Sequence, residues 1–286
     1  MRSTSDSVIR AIPTALRFTL LDFLLRPWGH WTVRVPILVL ATLGLLNRQA
    51  LAMPALWLVL AILTGLRIAF DWPLPDNHGY LLAYWCLAVF LGLRSVDPAA
   101  IVARSARLLV GLVFALAVLW KVLSPDYFDG RFFRVTLLTD PRFEQATRLL
   151  GGLSPDDLAY DREILFAPLP EGAELADPPV LVEPTAFRVL AASATWGLFL
   201  LEVAVALAFL LPKFGSSRHW ILIGFCILVY AVAPVAGFGW VLLAMGLAQT
   251  DAADRGLRRA YVAAFLFVLA YGEISIAAIG LRLRPA

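Results

Sequence analysis

Long blocks without a single charged side chain, divided by short polar turns, run through most of this chain. A block of this kind can satisfy its backbone polar groups only as a helix, and it needs an apolar surround. The alternation of blocks and turns therefore predicts an all-α fold, a polytopic transmembrane helix bundle. Seven spans are expected, over 28–46, 49–70, 78–93, 99–123, 188–211, 219–247 and 261–281. The blocks make the chain 60% hydrophobic and 16% charged, where a soluble domain has about half and about a quarter. Pro54 falls in the first turns of its span, where a missing N–H is tolerated. Pro234 and Gly237 are expected to kink the sixth span.

The chain divides accordingly. Residues 1–27 form an N-terminal tail whose stretch 14–26 reads as an amphipathic helix lying in the membrane interface. Residues 28–124 hold four spans, 125–187 an extramembrane segment of about 60 residues, 188–249 two more spans, and 250–286 the last span with a short tail. The segment is rich in acids and prolines, and one or two short helices are expected in it, most clearly over 141–150.

The formal charge of +3 does not imply nucleic acid. Most arginines flank apolar blocks, as helix anchors do, and no basic stripe interleaved with aromatics appears. The expected partner is the lipid bilayer. Cys86 and Cys226 lie inside apolar blocks and form no CxxC, so they read as small buried hydrophobes, and no metal-ligand spacing is present. The N-terminus lacks the apolar core and small-residue cleavage site of a secretory signal. Arginines fall at both faces, so their distribution assigns no orientation.

Parity assembles the chemistry. His78 opens the third span and Lys121 closes the fourth, so two antiparallel helices put them at one membrane face. Asp76, Asn77, Asp126, Arg67 and the whole extramembrane segment belong to that face. A lysine desolvated there can be driven towards neutrality and act as a base. The same lysine can equally serve as a snorkelling anchor. Glu202 sits near the middle of its span, where a carboxylate must be protonated or paired; Arg104 or Arg107 on the fourth span is the expected partner. Glu273 in the last span raises the same question.

Two stretches carry a resemblance: DNHGYLLAYWCLAVFLGLRSVDP at 76–98 and RLLVGLVFALAVLWKVLSPDYFDG at 107–130. They resemble the membrane part of the vitamin K-dependent gamma-carboxylase family and its bacterial HTTM (horizontally transferred transmembrane) relatives. In that family an Asn-Asn-His opens one helix, and the next ends in a lysine followed by polar residues, an aromatic and an acid-Gly pair. The matching residues are Asp76-Asn77-His78, Lys121, Asp126-Tyr127 and Asp129-Gly130. Glu202 matches a later acidic residue, and FCILVYAVAPVAGFGW at 225–240 fits the outline of a further helix. Cys226 stands where the family has histidine. Counted from Arg107 the family lysine falls on Lys121; counted back from Gly130 it falls on Val122.

The resemblance implies a pocket for a quinone or quinol, with Lys121 as the base, His78 as its orienting partner, and Asn77, Asp126, Glu202, Cys226 and Arg107 lining or bracing it. The family's large C-terminal extramembrane domain has no counterpart, so carboxylation of a protein substrate is not expected. The alternative is a non-catalytic partner subunit or permease that uses the acidic segment for interaction.

Overall fold

The fold is described from a computed structural model. It covers residues 11–26, 28–73, 77–168, 180–233, 235, 237–251 and 253–282, leaving aside the side chains of 11, 77 and 272–282. Among these residues every regular element is helical. In chain order they are α1 (Ala11–Leu25), α2 (Trp31–Leu46), α3 (Arg48–Leu51), α4 (Pro54–Phe70), α5 (Asn77–Leu93), α6 (Pro98–Leu123), α7 (Pro125–Phe128), α8 (Arg131–Thr139), α9 (Glu144–Gly151), α10 (Pro155–Phe166), α11 (Thr185–Leu210), α12 (Ser217–Val232), α13 (Phe238–Ala248) and α14 (Arg255–Arg282). Two of them, α6 and α11, are long and apolar enough to cross a membrane, and α2, α4, α5, α12 and α13 are shorter apolar helices. The chain forms two compact units: Met1–Ala115 with Ala204–Ala286, and Leu116–Val203.

In the first unit the helices are apolar on both faces. Along α2, Val33, Ile37, Ala41 and Gly44 are buried, while Val35, Val39, Leu43 and Leu46 point outward and are exposed. Both rows keep helical spacing, so neither is an accident of a loop. A helix apolar all round belongs in a protein core or in lipid, and this one is not enclosed by protein.

Two stretches depart from what the sequence predicts. Helix α1, expected at the interface, packs inside the unit against α2 and α13. Ala15, Thr19, Leu20, Asp22 and Phe23 have no exposed surface. Trp85 of α5 donates its indole N–H to Thr19 Oγ1 at 2.9 Å, and Phe18 stacks on Phe265 of α14 at 4.1 Å. The charges that suggested a polar face neutralise one another: Arg26 and Asp22 stand one turn apart and pair at 3.0 Å, both buried.

The stretch expected as a sixth, kinked span is instead a hairpin of two helices. Gly237, at φ 84°, lies in the left-handed region and lets the chain reverse. Gly239 donates its N–H to Tyr230 Oη at 2.7 Å, in space that a Cβ would fill. Phe225 and Phe238 meet at 6.4 Å. On the returning arm Gly246 lies against the Tyr261 ring, and Trp240 lies 6.5 Å from Phe265, so α13 runs antiparallel to α14. Gly239 to Ala248 are all buried, which makes α13 an inner helix. Pro234 lies outside the described residues.

The second unit has a core of its own where one or two isolated helices were expected. Tyr127, Phe133, Leu137, Leu138, Leu153, Leu158, Phe187 and Ala191 are buried together. Local signals start each helix: Pro125 and Pro155 occupy first turns, Gly130 turns the chain at φ 82°, and Ser154 with Asp157 forms a capping box before α10.

Asp161 of α10 is fully buried and accepts the N–H of Val182 at 2.9 Å. Burial is the largest influence on it and raises its carboxyl pKa above the ordinary value of 3.8. Its second oxygen has no hydrogen-bond partner among the described residues. The stability tied to this raised pKa is fully present below pH 3.8. It is lost as pH rises through the folded value, because the unfolded chain gives up the proton first. Asp161→Asn keeps an acceptor for Val182 and removes the ionisation. Its thermal midpoint at pH 7 is therefore expected to equal or exceed the parent's, with a flatter acid-side profile. Asp161→Ala orphans that N–H and is expected to cost about 1–3 kcal/mol. A D161N midpoint several degrees below the parent's would contradict the assignment.

Candidate functional site

Lys121 lies in the last turn of α6. Helix spacing turns it away from its neighbour Val122, which is 55% exposed. The side chain of Lys121 is 17% exposed, that of Glu202 on α11 is 9% exposed, and Nζ lies 2.6 Å from Glu202 Oε2. Beneath them α7 brings in Tyr127. The ammonium stands 5.4 Å from the centroid of its ring, within range of a cation–π contact. Tyr127 Oη donates to the carbonyl of Thr195 at 3.1 Å. Burial first, and then the charge of Glu202, pushes the Tyr127 hydroxyl well above its ordinary pKa, so it stays a protonated donor. A cation, an anion and a neutral phenol are thus held together by α6, α7 and α11, all within the second unit.

The partner of Glu202 is therefore Lys121, where an arginine of the fourth span was expected. Arg107 instead donates Nε to the carbonyl of Phe209 at 2.7 Å. The error lies in reading depth from the midpoint of a span. The first turns of α11 pack Phe187 and Ala191 into the core of the second unit. Glu202 consequently meets α6 at its end rather than at its middle.

The other predicted residues are distributed as follows. Asp126 is exposed and lies 3.4 Å from Arg131 NH1, a surface pair. Cys226 is fully buried on α12 as a free thiol, and Cys86 is likewise. Asn77 opens α5, with its side chain outside the described residues, as are Asp76 and the side chain of Glu273. His78 belongs to the first unit, where its ring stacks on Phe238 at 4.2 Å and Phe238 in turn lies 6.2 Å from Phe114.

Two features escaped the sequence reading. Tyr127 was visible only as one letter of a motif, with nothing to show that its ring would sit under Lys121. His219, at the start of an apolar block, is buried, with Nδ1 2.8 Å from Tyr261 Oη. The clue to that pair was Gly246, the small residue that admits the Tyr261 ring.

Comparison with protein-family models, with curated proteins and with solved structures finds no significant match to this chain.

Proposed function

We propose that this chain is an integral, multi-pass membrane protein in which α2, α4, α5, α6, α11 and α14 cross the bilayer and α12 with α13 form the outgoing and returning arms of one hairpin, with α1 packed among them. We propose further that Lys121 and Glu202 form an acid–base couple acting on a quinol or another lipophilic molecule with a weakly acidic O–H. The membrane reading is supported by the outward apolar rows, such as Leu108, Leu112, Leu116 and Leu119 along α6. The observation that carries the chemistry is the 2.6 Å contact between a largely buried ammonium and a largely buried carboxylate. Transfer of the proton from Nζ to Oε2 would replace two desolvated charges with a neutral amine and a neutral carboxyl. That is the form in which lysine can take a proton from a substrate. The likeness of the 107–130 stretch to the HTTM and gamma-carboxylase family supports a quinone-type ligand.

A second reading has its own support. Lys121 and Glu202 satisfy one another, and Tyr127 packs under them, as in a purely structural tie. The chain would then be a non-catalytic subunit or permease.

One preparation separates these readings. Cysteines placed at Asn47 and at Trp72, which bracket α4, are expected to react with an impermeant reagent from opposite faces of sealed vesicles. Labelling from one face would remove the multi-pass reading. Native mass spectrometry of the protein extracted with its lipids is expected to show a bound quinone, lost in Lys121→Ala and kept in Val122→Ala. A Lys121→Ala protein that keeps the same ligand leaves only the structural tie.

A further inference from the structure

A groove of about 1370 Å³ opens in the first unit, and its lining shares no residue with the Lys121 site. It is lined by the start of α1, by α3 with the turn after it, by the α5–α6 connection with the first turns of α6, and by Arg258 of α14. Its volume exceeds the 300–1,000 Å³ or so of ordinary small-molecule pockets. The walls are apolar, with Leu16, Leu51, Leu93 and Ala103 among them. Three arginines line the groove from three separate helices: Arg17 from α1, Arg48 from α3 and Arg258 from α14, the last engaged in a contact of its own. Among the described lining residues the one carboxylate is Asp97, which accepts the N–H of Ala100 at 3.1 Å at the start of α6. Among these residues arginines outnumber carboxylates.

The geometry points to a binding site for an anionic phospholipid. Its phosphate would meet Arg17 and Arg48, and its acyl chains would follow the apolar walls. This proposal rests on the membrane reading above but is independent of any chemistry at Lys121. Each half of the groove specifies one half of such a ligand. Guanidinium forks fit phosphate oxygens through paired, charge-assisted hydrogen bonds. The apolar walls have no use for a free anion and a strong use for hydrocarbon. The helix ends fit as well. The C-terminal end of α5 and the N-terminal ends of α1, α6 and α14 line the groove together with α3, so the arginines stand where helices turn. That is the level at which headgroups lie.

The test uses the detergent-purified full chain and native mass spectrometry, with phosphatidylglycerol and phosphatidylcholine of identical acyl chains as probes. One-to-one retention of phosphatidylglycerol is expected at least about tenfold above phosphatidylcholine, the factor carried by one good charge-assisted contact. Arg17→Ala with Arg48→Ala should abolish that preference. Ala103→Trp, which fills the groove and leaves the arginines in place, should reduce retention of both lipids. Arg48 is exposed, so Arg48→Ala alone reads the site if the double variant fails to fold. Equal retention of the two lipids, or a preference untouched by these variants, overturns the proposal. Displacement of the lipid by an equal concentration of inorganic phosphate overturns it too, since it would mark a free-anion site. Alkaline carbonate extraction of the same membranes reads membrane insertion separately. Absence of a lipid preference in a parent chain that stays inserted condemns the site alone, whereas extraction of the chain condemns the membrane reading and the site with it.

Discussion

Glu202→Gln is expected to lower the stability of the detergent-solubilised protein by about 3–5 kcal/mol, because it leaves a buried cation without its counter-charge. Both side chains of the pair are less than one-fifth exposed, so water screens little of the loss. The amide is nearly isosteric with the carboxylate, so no cavity forms and the effect isolates the charge. Lys121→Met should cost a comparable amount, since it strands the carboxylate. The double variant Lys121→Met with Glu202→Leu should return close to the parent, because an apolar pair of similar volume replaces two desolvation costs at once. Thermal midpoints of the four proteins read these costs. A Glu202→Gln protein as stable as its parent would show that the pair holds nothing together. A double variant that is stable but has lost quinone retention would show that the charges are kept for function and not for folding. This is the outcome that favours the acid–base reading.

The all-helical character of the chain was legible because it depends on one-dimensional properties. Uncharged blocks, prolines in first turns and Asn47 closing a helix before capping the next are all local. Depth and direction were less legible, because they depend on what a helix packs against. The 219–247 stretch has the length and apolarity of one span, and only the backbone at Gly237 and the closeness of Gly239 to Tyr230 turn it into a hairpin. Glu202 looked central because α11 was read as wholly intramembrane, when its first turns serve another core. Helix α1 looked amphipathic because Asp22 and Arg26 were counted as polar singly. Their spacing of four residues, which lets each bury the other, was already in the sequence.

The site shows the same division. The sequence pattern singled out Lys121 and Glu202 separately and joined Glu202 to an arginine by depth, where the structure pairs it with Lys121. Counting left Lys121 and Val122 as alternatives; helix phase turns Lys121 towards α11 and leaves Val122 outward.

Phe187→Ala is expected to open the second unit. Phe187 has no exposed surface and sits among Phe133, Leu137, Leu153 and Leu158, so its truncation leaves a cavity that costs about 3–5 kcal/mol. The unit has a single small core, with α8, α9 and α10 all leaning on it, so little remains to confine the damage. Arg148 and Arg162 lie along these helices, Arg142 lies between α8 and α9, and the three make trypsin a direct probe. Where cleavage follows the open population, a loss of that size should speed proteolysis within 131–166 by roughly a hundredfold or more. Leu149→Ala is the matched control. That side chain is 74% exposed, so its removal should shift stability by no more than about 0.5 kcal/mol. Equal cleavage rates for parent and Phe187→Ala would mean that the segment is held by something other than its own core. Rapid cleavage of the variant, with α1–α5 still protected, would show instead that the core of the second unit can be lost without unfolding the helices of the first. Lys121, Tyr127 and Glu202 belong to that second unit, so quinone retention should then fall in Phe187→Ala as well, although the substitution removes none of the residues that make the site.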